Sequence, residues 1–217
     1  MDASILIADD HPLFREALRL VTQEVFGTHS IISECASLDE ALPIIKENHH
    51  LELALIDINM PGMDGLSGLT RLHDVSPTLP IIVVSADERR STIDSAFRAG
   101  ASGFIPKSLC RSDMAQAIQC VLEGNIFTPP TLSHPISLPK QETESDLSEI
   151  TNRIMSLTKQ ERCILDYITR GQSNKVVAIE LNIAESTVKA HVSSILRKLG
   201  VHSRTQIVIK VGPILNI

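Results

Sequence analysis

Tryptophan is absent from the 217-residue chain, tyrosine occurs once and phenylalanine five times. So little aromatic surface argues against gripping single-stranded nucleic acid by base stacking. No apolar run approaches the roughly 20 residues that a membrane-crossing helix needs, so no membrane partner is expected. The first residues, MDASILIADD, carry no basic stretch and reach two aspartates too early for a secretory signal. Four cysteines (Cys35, Cys110, Cys120, Cys163) form neither a CxxC pair nor a zinc spacing. They are expected to be reduced thiols, mostly in the core, of a cytoplasmic protein. The apolar share of 43% and the charged share of 21% are those of a folded chain and exclude wholesale disorder.

The net charge of -6 conceals an asymmetry. Residues 1–150 hold 10 Lys and Arg against 22 Asp and Glu, whereas residues 151–217 hold 10 against 4. An acidic body with a basic final third points to two domains with different partners, the basic one suited to a polyanion such as nucleic acid. Between them, Thr128 to Asn152 carries Pro129, Pro130, Pro135 and Pro139 among Ser, Thr and Glu. That composition breaks helices and strands and predicts a semi-extended linker, with a short helix at its end from about Asp146 to Met155.

Before the linker, β-branched apolar runs alternate with helical spacing. The runs are Ser4 to Ala8, Ser30 to Cys35, Leu53 to Ile58, Pro80 to Val84 and Gly103 to Pro106. Met114, Ala117, Ile118, Val121 and Leu122 follow one helical face. Five strands alternating with five helices predict a doubly wound parallel sheet, covered on both faces. Ligands in such sheets sit beyond the carboxyl ends of the strands. There the sequence places Asp9 and Asp10, then Asp57, Ser85 and Lys107. Three converging carboxylates repel one another and call for a cation, and oxygen ligands suit Mg²⁺. A lysine and a hydroxyl beside them would hold a phosphoryl group, with Asp57 as the nucleophile that forms an acyl phosphate. Each residue alone has a structural alternative as a turn former, helix cap or surface charge. Their joint placement on one rim carries the reading.

Over residues 1–125 the segment resembles a response-regulator receiver domain, on the motifs IADDHPLFREAL, LALIDINMPGMDGL, IIVVSAD and AGASGFIPKS. The resemblance implies Asp57 as the phosphoacceptor for a sensor histidine kinase. It implies Mg²⁺ held by Asp10, Asp57 and the backbone carbonyl of Asn59, with Asp9 helping through water. Ser85 and Lys107 would contact the phosphoryl group, and Phe104 matches the aromatic switch position. Many receivers have proline after this lysine, where this chain has Ser108. Asn59 and Asp87, each two residues past a site residue, sit where phosphoryl lifetime would be tuned.

The last third reads as helices only. Thr158 to Glu161 forms a capping box, helices are expected over Asn174 to Leu181 and Glu185 to Leu199, and Gly200 ends the latter. Val188, Val192, Ile195, Leu196 and Leu199 make a buried stripe on that helix. Lys189, Ala190, Ser193 and Arg197 make a small, polar, basic face suited to a major groove. Residues 155–211 closely resemble the LuxR-type helix-turn-helix, on the spacing SNKxxAxxLxIxxxTVKxHVxxILxKLGVxxRTQ.

Together the halves resemble a NarL/FixJ-type response regulator: receiver 1–125, linker 126–152, and a four-helix DNA-binding domain 153–217. The resemblance implies Lys189, Ala190 and Ser193 at base edges of double-stranded DNA. Thr187, Lys175, Lys198 and Arg204 are phosphate-contact candidates, with Arg197 on the same helix face. It also implies a homodimer when phosphorylated, with RNA polymerase as a further candidate partner. Ala184 stands where a capping Ser or Thr is common, so the helix either starts later, at Ser186, or tolerates a loss of about 1 kcal/mol. Two other readings stay open. A phosphohydrolase would share the acyl phosphate chemistry but would carry a DxDxT signature, which this chain lacks. An adaptor would bind protein through its C-terminal bundle, and a steep loss of DNA binding with salt would argue against it. His49, His50 and His191 suggest no metal set.

Overall fold

The β-branched runs form five strands: β1 (Ser4–Ala8), β2 (Ile31–Cys35), β3 (Leu51–Asp57), β4 (Ile81–Ser85) and β5 (Gly103–Pro106). In this computed structural model, which describes residues 3–129, 144–212 and 214, they pair in parallel in the order β2-β1-β3-β4-β5. Helices α1 (Pro12–Phe26), α2 (Leu38–Glu47), α3 (Ser67–Val75), α4 (Arg90–Arg98) and α5 (Arg111–Leu122) make the crossovers. Strand side chains alternate between two cores. Leu6, Ala8 and Ile56 pack with α2, α3 and α4, while Ile5, Ile7 and Leu55 pack with α1 and α5. Burial on both faces explains why β1 and β4 are apolar almost throughout. The strand order reverses between β1 and β3, so a crevice opens at their carboxyl ends, beside Asp9 and Asp57.

The later helices are α6 (Glu144–Met155), α7 (Lys159–Thr169), α8 (Asn174–Leu181), α9 (Glu185–Leu199) and α10 (Arg204–Val211). Most of the predicted linker, residues 130–143, lies outside the described residues. Its expected helical end is α6, which packs Ile150 and Ile154 against the core of α7–α10 and donates from Arg153 Nη1 to the Leu199 carbonyl at 2.9 Å. The capping box forms: Thr158 Oγ1 accepts from the Glu161 amide at 3.2 Å, and Glu161 Oε2 accepts from the Thr158 amide at 2.7 Å. At α9 the start does not slip. Ala184 is the N-cap and makes no side-chain cap hydrogen bond. The buried stripe of α9 fixes its register, so packing outweighs the missing hydroxyl. Gly200 closes the helix with φ +68°, in the left-handed region that glycine enters at little cost.

The two halves touch where the start of α10 meets the corner between α4 and β5. Gln206 Nε2 donates to the Arg98 carbonyl at 2.7 Å, and the hydroxyls of Thr205 and Ser102 lie 3.4 Å apart. Gly100, at φ +102°, admits this contact, because a Cβ there would lie 2.7 Å from Ser203 Oγ and 2.9 Å from His73 Nε2. His73 is buried at this seam and neither ring nitrogen makes a hydrogen bond. Burial pushes its pKa down to about 4. His202 Nδ1 stands 3.5 Å from the Asp74 carboxylate beside it.

Candidate functional site

Asp9 follows the last residue of β1 and Asp57 is the last residue of β3, so paired strands place both at one end of the sheet. Both are buried, while Asp10 points to the rim and is exposed. Lys107 follows β5 and reaches across the rim. Its Nζ lies 2.7 Å from Asp9 Oδ2 and 2.8 Å from Asp57 Oδ2. Its backbone amide donates to the Ser85 carbonyl at 2.8 Å, which ties the ends of β4 and β5 together. Burial works against the charge of Lys107, but the contacts with Asp57 and Asp9 outweigh it and hold the pKa above its ordinary value.

Asp57 Oδ1 accepts from the Asn59 amide at 2.9 Å. Ser85 is wholly buried. Its Oγ accepts from the Asp87 amide at 3.0 Å and from Asn59 Nδ2 at 3.3 Å. The structure therefore brings Asp9, Asp10, Asp57, Asn59, Ser85 and Lys107 together. Phe104 stands apart from the opening, fully buried in β5. Three carboxylates against one ammonium leave an excess of negative charge, and the donors are oxygens. The set suits a divalent cation on charge and ligand chemistry. Asp87 is engaged at the edge: its carboxylate pairs with Arg89 at 2.8 and 2.7 Å and accepts from Thr92. These bonds hold it well below the usual carboxylate range.

On α9 the predicted basic face divides. Thr187, Ala190, Ser193 and Arg197 are exposed, as is Lys175 on α8. Lys189 is half-buried, its Nζ 3.5 Å from Glu185. Two of the phosphate-contact candidates are occupied within the domain. Lys198 Nζ pairs with the buried Glu161 at 2.7 Å, and Arg204 donates to Asn174 Oδ1 at 3.2 Å and to the Gln172 carbonyl. Arg204 is pushed down to about 10 by burial alone. Lys175, Lys189 and Arg204 line a cleft of about 330 Å³ with first-half residues that include Pro77 and Asn125.

The model of the response regulator receiver domain matches residues 5–119, and that of the luxR family of bacterial regulatory proteins matches residues 155–211. The chain belongs to the LuxR-type response regulators. Members of this class are DNA-binding transcription regulators rather than enzymes. Among its relatives is a glycerol metabolism activator from Pseudomonas putida, 44% identical across 97% of this chain and 95% of that protein. Another is the nitrate/nitrite response regulator NarL of Escherichia coli K12, 30% identical across 94% and 92%. The solved RcsB of Salmonella enterica serovar Typhimurium, bound to promoter DNA in the presence of a phosphomimetic, shares the fold. Its TM-score is 0.55 at 20% identity, over 99% of this chain and all of that one.

Sequence reasoning missed three groups around the response regulator's pocket. The ring of Phe14 lies under Lys107 Nζ, 4.9 Å away at its centroid. Arg15 Nη1 donates to the Asp9 carbonyl at 2.6 Å. His11 Nδ1 lies 2.7 Å from Asp10 Oδ1. All three belong to the first turn of α1 or its cap, where helical spacing from Asp10 would have flagged them. Among the described residues no helix is long and apolar enough to cross a membrane.

Proposed function

We propose that this response regulator accepts a phosphoryl group on Asp57 from a sensor histidine kinase and reports it to DNA through α9. Asp57 carries the reading, because it, unlike Asp9, lines the opening at the rim beside Asn59 and Lys107, with Lys107 Nζ 2.8 Å from its Oδ2. An Asp57 oxygen attacks the phosphorus of the kinase's phosphohistidine, the P–N bond breaks, and the imidazole nitrogen leaves with its electron pair. Lys107 and Ser85 hold the transferred oxygens. The Asn59 amide fixes the other Asp57 oxygen so that the nucleophile points outward. The residues that would hold Mg²⁺ are Asp10, Asp57 and the Asn59 carbonyl, with Asp9 acting through water. Bound there, the ion would neutralise charge on the transferring group. The pocket takes part only in its own phosphotransfer and dephosphorylation.

Phosphorylation draws Ser85 and Phe104 toward the site and biases the receiver surface that the α4–β5 corner shares with α10. Lys189 faces the first half across the cleft that Pro77 and Asn125 line, so it reaches base edges only once the halves separate. We assign residues 1–125 to the receiver, 126–152 to the linker and 153–217 to the output domain. Lys189, Ala190 and Ser193 read bases, while Thr187, Lys175 and Arg197 meet the backbone. Lys198 and Arg204 contribute to phosphate binding after releasing their present partners. The active form is a cytoplasmic homodimer on a repeated half-site, where RNA polymerase is a further partner. Labelling with a small phosphodonor tests the central claim. Wild-type protein acquires an acyl phosphate and Asp57→Asn, still folded, acquires none; continued labelling of the variant defeats the assignment.

A further inference from the structure

One donor in the pocket has no part in the phosphotransfer just described. His11 is the N-cap of α1, and its ring caps nothing. Pro12 follows it and confines its backbone to the extended region, where it sits at φ -94° and ψ 104°. Its amide is pinned to Asp9 Oδ1 at 2.8 Å. The ring is therefore carried on a fixed base. It turns inward although the side chain is 66% exposed: Nδ1 lies 2.7 Å from Asp10 Oδ1, 3.1 Å from Asp9 Oδ1 and 3.9 Å from Asp57 Oδ2. One donor atom from each of Asp9, Asp10, His11 and Asp57 lies within 4.8 Å of the others. Two ligands of one zinc ion, each about 2.0–2.2 Å from it, stand at most roughly 4.4 Å apart, so small side-chain adjustments close the set. Asp9, which is wholly buried, pairs Oδ2 with Lys107 Nζ at 2.7 Å, so Asp10 and Asp57 rather than Asp9 are the carboxylates that His11 would share an ion with.

The donor chemistry separates two classes of ion. Mg²⁺ takes oxygen ligands, keeps several waters, and gains little from an imidazole. Zn²⁺ prefers a mixed nitrogen and carboxylate set in a tetrahedron. We propose that His11 turns the acidic pocket into a second kind of metal site, which takes Zn²⁺ through His11 Nδ1, Asp10 and Asp57 and so competes with phosphorylation. This rests on the reading of the pocket as a divalent-cation site. A zinc-bound Asp57 has its outward oxygen committed to the metal and is no longer free to attack phosphorus. The residue after the two aspartates thus becomes a determinant of metal choice.

Titration calorimetry on the full-length protein tests this with Zn²⁺ and Mg²⁺ separately. Wild type is compared with His11→Asn and Asp57→Asn. His11→Asn is expected to weaken Zn²⁺ binding roughly 10-fold or more, while Mg²⁺ affinity stays within about 2-fold. Asp57→Asn is expected to weaken both. In ¹⁵N-histidine spectra, the His11 ring nitrogen shifts on adding Zn²⁺ and not on adding Mg²⁺. Unchanged Zn²⁺ affinity in His11→Asn, with Mg²⁺ still dependent on Asp57, overturns the zinc site and leaves the pocket reading standing. Zn²⁺ held elsewhere, as on the exposed His49 and His50, gives that same result. Mg²⁺ binding that ignores Asp57→Asn overturns the pocket reading itself.

Discussion

The acidic pocket and the reading helix treat charge in opposite ways. In the pocket, Asp9 and Asp57 are buried, matched to one lysine within 2.8 Å, and fixed further by backbone amides. On α9, Arg197 is exposed and Lys189 has only a loose 3.5 Å partner one helical turn away. Buried pairs interact strongly and respond to a single added charge, because little water screens them. Exposed charges are screened and individually weak, but they are free to meet a phosphate backbone and release its counterions. The molecule therefore keeps a stiff, local receiver of charge and a loose, long-range sensor of charge on separate domains. Glu161 shows that the output half has a stiff pair too. Burial opposes its ionisation, yet Lys198, the Thr158 amide and Ser194 hold its pKa down to about 2. Lys198 thus belongs to the pocket's kind of electrostatics rather than to that of its own helix face.

Removing the pocket's ammonium should have the largest effect. Lys107→Met leaves two buried carboxylates facing each other, and urea denaturation at pH 7 should show a loss of about 3 kcal/mol. Added Mg²⁺ should recover part of that loss in the variant. A loss below about 0.5 kcal/mol would place the pair among ordinary surface bridges. Next comes the reading face. Lys189→Ala should weaken binding to the cognate site by about 1–3 kcal/mol and relax its sequence preference. Lys198→Ala should leave that preference alone. Gel shifts over a salt series separate the two, and a Lys198→Ala variant with altered preference would place that lysine on the reading face after all.

The smallest expected effect concerns the seam. His73 has its pKa lowered in the folded protein from 6.5 to about 4. Its neutral form therefore supports the fold fully above pH 6.5, and that support is lost as pH falls from about 6.5 toward 4. Between pH 7 and pH 5.5 the loss should reach about 1 kcal/mol, and His73→Gln should flatten that slope by the same amount. An unchanged slope in the variant would show that the ring is hydrated or leaves the seam.

Much of this was legible in one dimension. Asp9, Asp57, Ser85 and Lys107 were found because a parallel sheet sends every strand end to the same rim, so a residue's place in its strand implies its place in space. The capping box at Thr158 and the apolar stripe of α9 follow from local rules of equal force. What stayed hidden depends on side-chain direction. Nothing in the spacing of Lys198 and Arg204 shows that one pairs with Glu161 and the other with Asn174, since both partners come from other helices. His11 carried no signal of its own until the fold turned its ring toward Asp10. The seam was equally silent: Gly100, Ser203 and His73 come from three separate elements and share no motif. The sequence alone determined the two folds and which chemical groups stand on the strand rim and the α9 stripe, because periodicity and strand polarity act over a few residues. Only the tertiary structure decided which charges are spent on one another, because pairing depends on distances between segments that no local pattern encodes.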